Sequence, residues 1–125
     1  MPDGAYQERI FHKRPGMVRL TGSAVLDGDG AVTSIDFPGV TSITESAEGT
    51  YTIVLSSAYY KFLGISAIAL KTTDVPTFWQ IKSEDVDGST PNIVMNSFGL
   101  DSTFDAESPV SCTLYFEIVL DASQA

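Results

Sequence analysis

Near its end the chain settles into a two-residue period: Val110, Cys112, Leu114, Phe116, Ile118 and Leu120 alternate with Ser111, Thr113, Tyr115, Glu117 and Val119. Successive side chains of a strand point to opposite faces, so this pattern makes a strand with one face in a core. A helix would scatter the same apolar set around its axis. Tyr51, Ile53 and Leu55 repeat the pattern opposite Thr52 and Val54.

Around these two segments the chain reads as short β runs punctuated by turn chemistry. Val18 to Leu26 predicts a first strand, and Asp27-Gly28-Asp29-Gly30 supplies the positive-φ positions of a tight connection to Ala31 through Asp36. Phe37-Pro38-Gly39 interrupts, because proline cannot donate to a sheet ladder. Val40 to Thr44, Gly64 to Leu70, Phe78 to Val86 and Asn92 to Phe98 complete the set. The small residues of Ile65-Ser66-Ala67-Ile68-Ala69-Leu70 predict burial on both sides of that strand. Ser56 to Leu63 predicts the single helix, one or two turns long, capped by Ser56 or Ser57 and carrying Tyr59, Phe62 and Leu63 at helical spacing. Seven or eight strands separated by turns about every 8–12 residues predict an all-β fold, an antiparallel sandwich or small barrel with one short helix.

A chain of 125 residues fits one domain and can bury a core without staples. Cys112 is the only cysteine, so no intrachain disulfide forms, and its place on the inward side of the last strand predicts an inert buried thiol. Residues 1 to 11 include Asp3, Gln7, Glu8 and Arg9 where a signal peptide needs an apolar stretch, and no later run reaches membrane-spanning length. The expectation is a soluble product made in a cytoplasm, with no membrane partner.

Charge divides the chain. Residues 1 to 19 hold four basic and two acidic residues, a net +2, while residues 20 to 125 hold three basic and fourteen acidic, a net −11. Residues 1 to 16 show no sustained period and end in the hinge-like Pro15-Gly16, which predicts an extended docking arm ahead of a β domain spanning 17 to 125. Tyr6, Ile10 and Phe11 are large apolar groups that a tail meant only for water has little use for, and Arg9, Lys13 and Arg14 lie among them. These six are the candidate partner-binding residues, the apolar groups anchoring and the cations orienting. The acidic body opposes nucleic acid, so an acidic protein surface is the expected target.

No constellation of catalytic chemistry stands beside the arm. His12 is the only histidine, no Gly-x-Ser-x-Gly elbow occurs, and phosphate-binding glycine motifs are missing. Asp27-Gly28-Asp29-Gly30 invites a calcium loop, but Val32 and Pro38 stand where that loop needs glycine and a bidentate glutamate, so a hairpin turn is the better reading. One His and one Cys do not assemble a structural zinc site within one chain. The carboxylates Glu84, Asp85 and Asp87, and those from Asp101 to Glu107, flank turns and read as solvated loops rather than a glycosidase pair. Phe78-Trp79 with Tyr59-Tyr60 offers an aromatic platform, although Phe78 and Trp79 face opposite sides of a strand and one of them is core. The expectation is a non-enzymatic protein with no cofactor and no metal.

Leu20-Thr21-Gly22-Ser23-Ala24-Val25-Leu26, Gly30-Ala31-Val32 and Gly49-Thr50-Tyr51-Thr52-Ile53-Val54-Leu55 leading into Tyr59-Tyr60-Lys61-Phe62-Leu63 resemble small β-rich virion structural proteins of tailed bacteriophages. Phe78-Trp79-Gln80-Ile81, Asn92-Ile93-Val94-Met95 and the closing strand fit the same order over residues 17 to 121. The resemblance implies a capsid decoration, or cement, protein on the head exterior. It implies binding to the major capsid protein at capsomer junctions and assembly with itself as a homo-oligomer, a trimer in such proteins. The alternatives are a tail or fibre β domain that meets a host glycan through Trp79 or Tyr60, and a carbohydrate-active enzyme using Glu84 and Asp85.

Overall fold

In a computed structural model, the description covers residues 16–71, 78–98 and 106–122. Tyr6, Arg9, Ile10, Phe11, Lys13 and Arg14 lie outside the described residues, as does the side chain of Phe78. Eight strands follow in order: β1 (Met17–Leu26), β2 (Val32–Asp36), β3 (Val40–Ala47), β4 (Thr50–Leu55), β5 (Lys61–Leu70), β6 (Phe78–Asp85), β7 (Asn92–Phe98) and β8 (Thr113–Asp121). They form two antiparallel sheets of four, ordered β2-β1-β8-β5 and β3-β4-β7-β6, whose inner faces share one core in a sandwich-like arrangement. No helix among the described residues is long and apolar enough to cross a membrane.

Alternation decides which side chains go inward. On β8, Leu114, Phe116, Ile118 and Leu120 are buried, as the period requires, and Cys112 just before the strand joins them. β1 lies beside it with Leu20 opposite Ile118 and Ala24 opposite Leu114. From the second sheet, Tyr51, Ile53 and Leu55 of β4 and Ile93 and Met95 of β7 close the other side of the core. The Asp27–Gly30 turn joins β1 to β2, and β2 leaves its sheet at Phe37-Pro38-Gly39 to start β3 in the other. At that exit Phe37 folds under β1 and stacks on Phe116, ring centroids 5.9 Å apart. Gly22 is what permits it, since a Cβ there would stand 2.5 Å from both the Asp36 carbonyl oxygen and the Phe37 ring.

Three expectations need correction. The helix over 56–63 does not form: residues 56–60 make an irregular link, and β5 already begins at Lys61. So few residues are too few to offset the cost of nucleating a helix. Their N–H groups are also claimed from elsewhere, Tyr59 N donating to the Val86 carbonyl (2.8 Å) and Tyr60 N to that of Asp121 (2.9 Å). β5 is not buried on both sides: Phe62, Ile65, Ala67 and Ala69 meet the core, while no described layer packs on the outer face, where Ile68 and Leu70 stand exposed. The closing strand begins at Thr113 rather than Val110, since Ser111 sits at φ 51, outside strand geometry, and donates its N–H to the Asp27 carbonyl (2.7 Å).

Candidate functional site

The turn that invited a calcium reading is occupied with itself. Asp27 Oδ1 accepts from the N–H groups of Asp29 (2.8 Å) and Ala31 (3.0 Å), while its carbonyl accepts from Gly30 N (3.1 Å) and Ser111 N (2.7 Å). This is the self-bonded aspartate of a turn, which uses the carboxylate to fix backbone rather than to hold an ion. Among the described residues no three His, Cys, Asp or Glu side chains gather where they could hold a metal.

Beneath the turn lies a polar node. The Tyr51 hydroxyl donates to the Gly30 carbonyl (2.7 Å), Gly49 N donates to Ser108 Oγ (2.7 Å), and Ser108 Oγ donates to Glu45 Oε2. Each group satisfies another, so the node ties turn, β3, β4 and the lead into β8 together. Burial pushes the Tyr51 phenol up to about 12, with Glu45, Cys112 and Asp27 adding to the rise and the Ser108 hydrogen bond opposing it. A phenol whose folded pKa lies above its unfolded value near 10 favours the fold while it is neutral. That stability is complete below about pH 10 and is lost as the pH climbs towards 12. Near neutral pH, Tyr51→Phe is expected to cost about 1 kcal/mol for the lost hydrogen bond. The gap from wild type should narrow in denaturant melts at about pH 11; an unchanged gap would remove Tyr51 from the alkaline transition.

Cys112 is buried and its thiol is pushed up by that burial, with Lys71 opposing, as an inert packing group requires. Glu84, Asp85 and Asp87 are exposed at the end of β6 and in the turn after it. Glu84 Oε1 accepts from Val86 N (3.3 Å) and the Asp85 carbonyl from Gly88 N (3.4 Å), the bonding of a turn. Trp79 turns towards the core and meets Tyr51 edge to face at 5.9 Å, and Tyr59 also packs on the core. Tyr60, by contrast, is exposed.

The distinctive surface lies elsewhere, on the outer face of the β2-β1-β8-β5 sheet. Register aligns Val25, Thr113 and Leu70 in one row across β1, β8 and β5, and Ser23, Tyr115 and Ile68 in the adjacent row on that face. Ile68 is 70% exposed, Leu70 63%, Tyr115 51% and Val25 41%. These are four of the six large apolar side chains that stand exposed among the described residues. Together they make one apolar patch across three strands, the kind of exposed surface that is often functional. Beside Tyr115, where β2 leaves β1, a shallow cleft of about 550 Å³ runs between Thr21, Ser23, Asp36 and Pro38.

Within β1, β8 and β5 the two rows carry no charge, but the Ser23–Tyr115–Ile68 row ends on β2 at exposed Asp36, opposite Ser23. The nearest charged groups on that face are Asp36 on β2 and, beyond Thr21, an Arg19–Glu117 pair at 3.0 Å that neutralises itself. Arg19 thus belongs to the sheet and not to a basic arm, which leaves Arg9, Lys13 and Arg14 as the cations before it. The sequence predicts burial for Ile68 and Leu70, and the one signal in it for a surface here is Tyr115, an aromatic placed among the polar alternates of β8.

Comparisons with protein-family models, with curated proteins and with solved structures find no match to this chain.

Proposed function

We propose that this protein is a non-enzymatic structural component that works by docking to other proteins, as a decoration protein on the outer surface of a phage head. The observation that carries the reading is the cluster of exposed apolar side chains, Val25, Ile68, Leu70 and Tyr115, on one face of an acidic body. A soluble acidic domain that keeps such a face exposed needs a protein against it. The Glu84 carboxylate accepts from Val86 N and that of Asp27 from Asp29 N, both within turns, and the buried polar node closes on its own members. The resemblance of residues 17 to 121 to tailed-phage virion proteins supplies the setting, and the mixed basic and apolar residues of the first fifteen positions supply the anchor to the shell.

The test is binding of the purified chain to empty heads of the phage that encodes it, with the stoichiometry read from sedimented particles. Removing residues 1–15 is the informative truncation. Gly16 must stay, because its carbonyl accepts from Ala122 N (2.8 Å) at the end of the sheet. The truncated chain is expected to melt within a few degrees of the full chain and to bind heads at least ~100-fold more weakly. Failure of the full chain to bind would overturn the decoration reading, and undiminished binding by the truncated chain would overturn the arm as its anchor.

A further inference from the structure

We infer that in the free chain residues 6–11 fold back over β1 on the outer face of the β2-β1-β8-β5 sheet, seating Arg9 between Asp36 and Tyr115. This contact belongs to the chain without its shell, so it holds whatever the chain docks to. Where a shell is the target, as the reading above has it, docking transfers the arm from its own sheet to the shell.

The chain enters β1 through a left-handed glycine. Gly16 has φ 79, and its carbonyl accepts from Ala122 N (2.8 Å), so the side towards β8 is already taken. Proline followed by a glycine at φ of about 80° is the pair that a type II turn takes at its two central positions, and Pro15 precedes Gly16. Such a turn sends the residues before it back along β1 rather than away from the body. Reach then fixes what meets what. Ser23 lies seven residues after Gly16 and Arg9 seven before it, each about 23 Å away at strand rise. Arg9 therefore comes level with Ser23, whose neighbours across the sheet are Asp36 on β2 and Tyr115 on β8. Ile10 and Phe11 fall level with Gly22 and Thr21 in the cleft, and Tyr6 falls at the Val25 end of the face.

Chemistry agrees with this alignment. Asp36 is exposed, and among the described residues no cation pairs with it, since Arg19 on the same face is held by Glu117. A guanidinium set between a carboxylate and a tyrosine ring gains an ion pair on one side and a cation–π contact on the other. The cleft is open over that place, bordered by both Asp36 and Tyr115, and has room for a long side chain. Net charge acts in the same direction, because residues 1 to 19 carry +2 and residues 20 to 125 carry −11. The tether adds to this by holding the arm near its own sheet at an effective concentration on the order of millimolar, so a weak contact suffices within one chain. Ile68 and Leu70 lie on β5, two strands from β1, and stay uncovered, which leaves an apolar margin for a shell.

The experiment is cross-linking of the purified full chain in dilute solution, without any shell protein, by a short bismaleimide reagent, with the products read by denaturing electrophoresis and mass spectrometry. Gln7→Cys with Ser34→Cys pairs an arm position with the exposed β2 residue opposite Val25. Gln7→Cys with Thr44→Cys pairs it with an exposed site on the other sheet, and Cys112 is buried away from the reagent. The first pair is expected to give a product of one chain's mass, 13.4 kDa plus the linker, at a yield at least ~5-fold above the second. Arg9→Glu should lower that yield at least ~3-fold, and adding Asp36→Lys should restore it, a change of the size an exposed ion pair allows. Circular dichroism should show the same fold throughout, because the substituted body positions are exposed. Equal yields from the two pairs, a product joining two chains, or no rescue by Asp36→Lys would overturn the inference. The expected yields from a chain that does not bind heads would uphold this contact and refute the decoration reading.

Discussion

Replacing Gly49 with alanine is expected to cost about 3–5 kcal/mol and to lower the melting temperature by roughly 10–20 °C. Gly49 lies in the turn between β3 and β4 at φ 74, a conformation that penalises any residue with a Cβ. The added atom would stand 2.6 Å from Glu107 N and 2.8 Å from the Ser97 carbonyl oxygen. Both obstacles are backbone, so no side chain can swing away. They are also bonded to one another, Glu107 N donating to the Ser97 carbonyl (2.9 Å), while Ser97 N donates to the Gly49 carbonyl (2.6 Å). Relief of the clash therefore breaks hydrogen bonds in a buried place and disturbs Ser108, which accepts from Gly49 N. Gly64→Ala is the control. Its Cβ would meet nothing within 4 Å, and the change should stay within about 1 kcal/mol of wild type or stabilise it slightly. Equal melting temperatures for the two variants would refute the account of the β3–β4 turn.

That turn also shows how far the residues themselves reveal the fold. Glu48-Gly49 is legible as a turn because glycine between two alternating runs has few other uses, and the strands on either side follow from period. The partners of the turn are not legible: Ser97, Glu107 and Ser108 are about fifty residues away, and no local pattern links them to Gly49. The same division holds elsewhere. The inward side of β8 is written in its alternation, but the strand's central place between β1 and β5 comes from the order of chain crossings. Ser56 to Leu63 misleads because its helical spacing is real but short, and tertiary hydrogen bonds to Val86 and Asp121 outbid it. Ile68 and Leu70 were readable as apolar, yet whether a strand with two apolar faces is sandwiched or left at an edge depends on what lies beside it. The candidate surface escaped sequence reading for that reason: it is an assembly of Val25, Ile68, Leu70 and Tyr115 from three strands, brought together only by register.

Ile118→Ala should cost about 3–4 kcal/mol, near the upper part of the range for such truncations, because the site has little means to collapse. Ile118 is 0% exposed at the middle of β8, with Leu20 of β1 on one side and Ile65 of β5 on the other. Its sheet is hydrogen-bonded through both neighbours, so the backbone cannot move inward independently. Across the core, Ile53 and Ile93 are equally buried on the two central strands of the facing sheet, which are fixed in the same way. The cavity therefore persists and its lining loses contact energy outright. Ile68→Ala removes the same atoms from the outer face of the same sheet and should change the stability of a single copy by no more than about 0.5 kcal/mol. Denaturant melts of the two variants separate them. A large loss at Ile68, or a small loss at Ile118, would contradict the division of this sheet into an inner face that holds the fold and an outer face that does not.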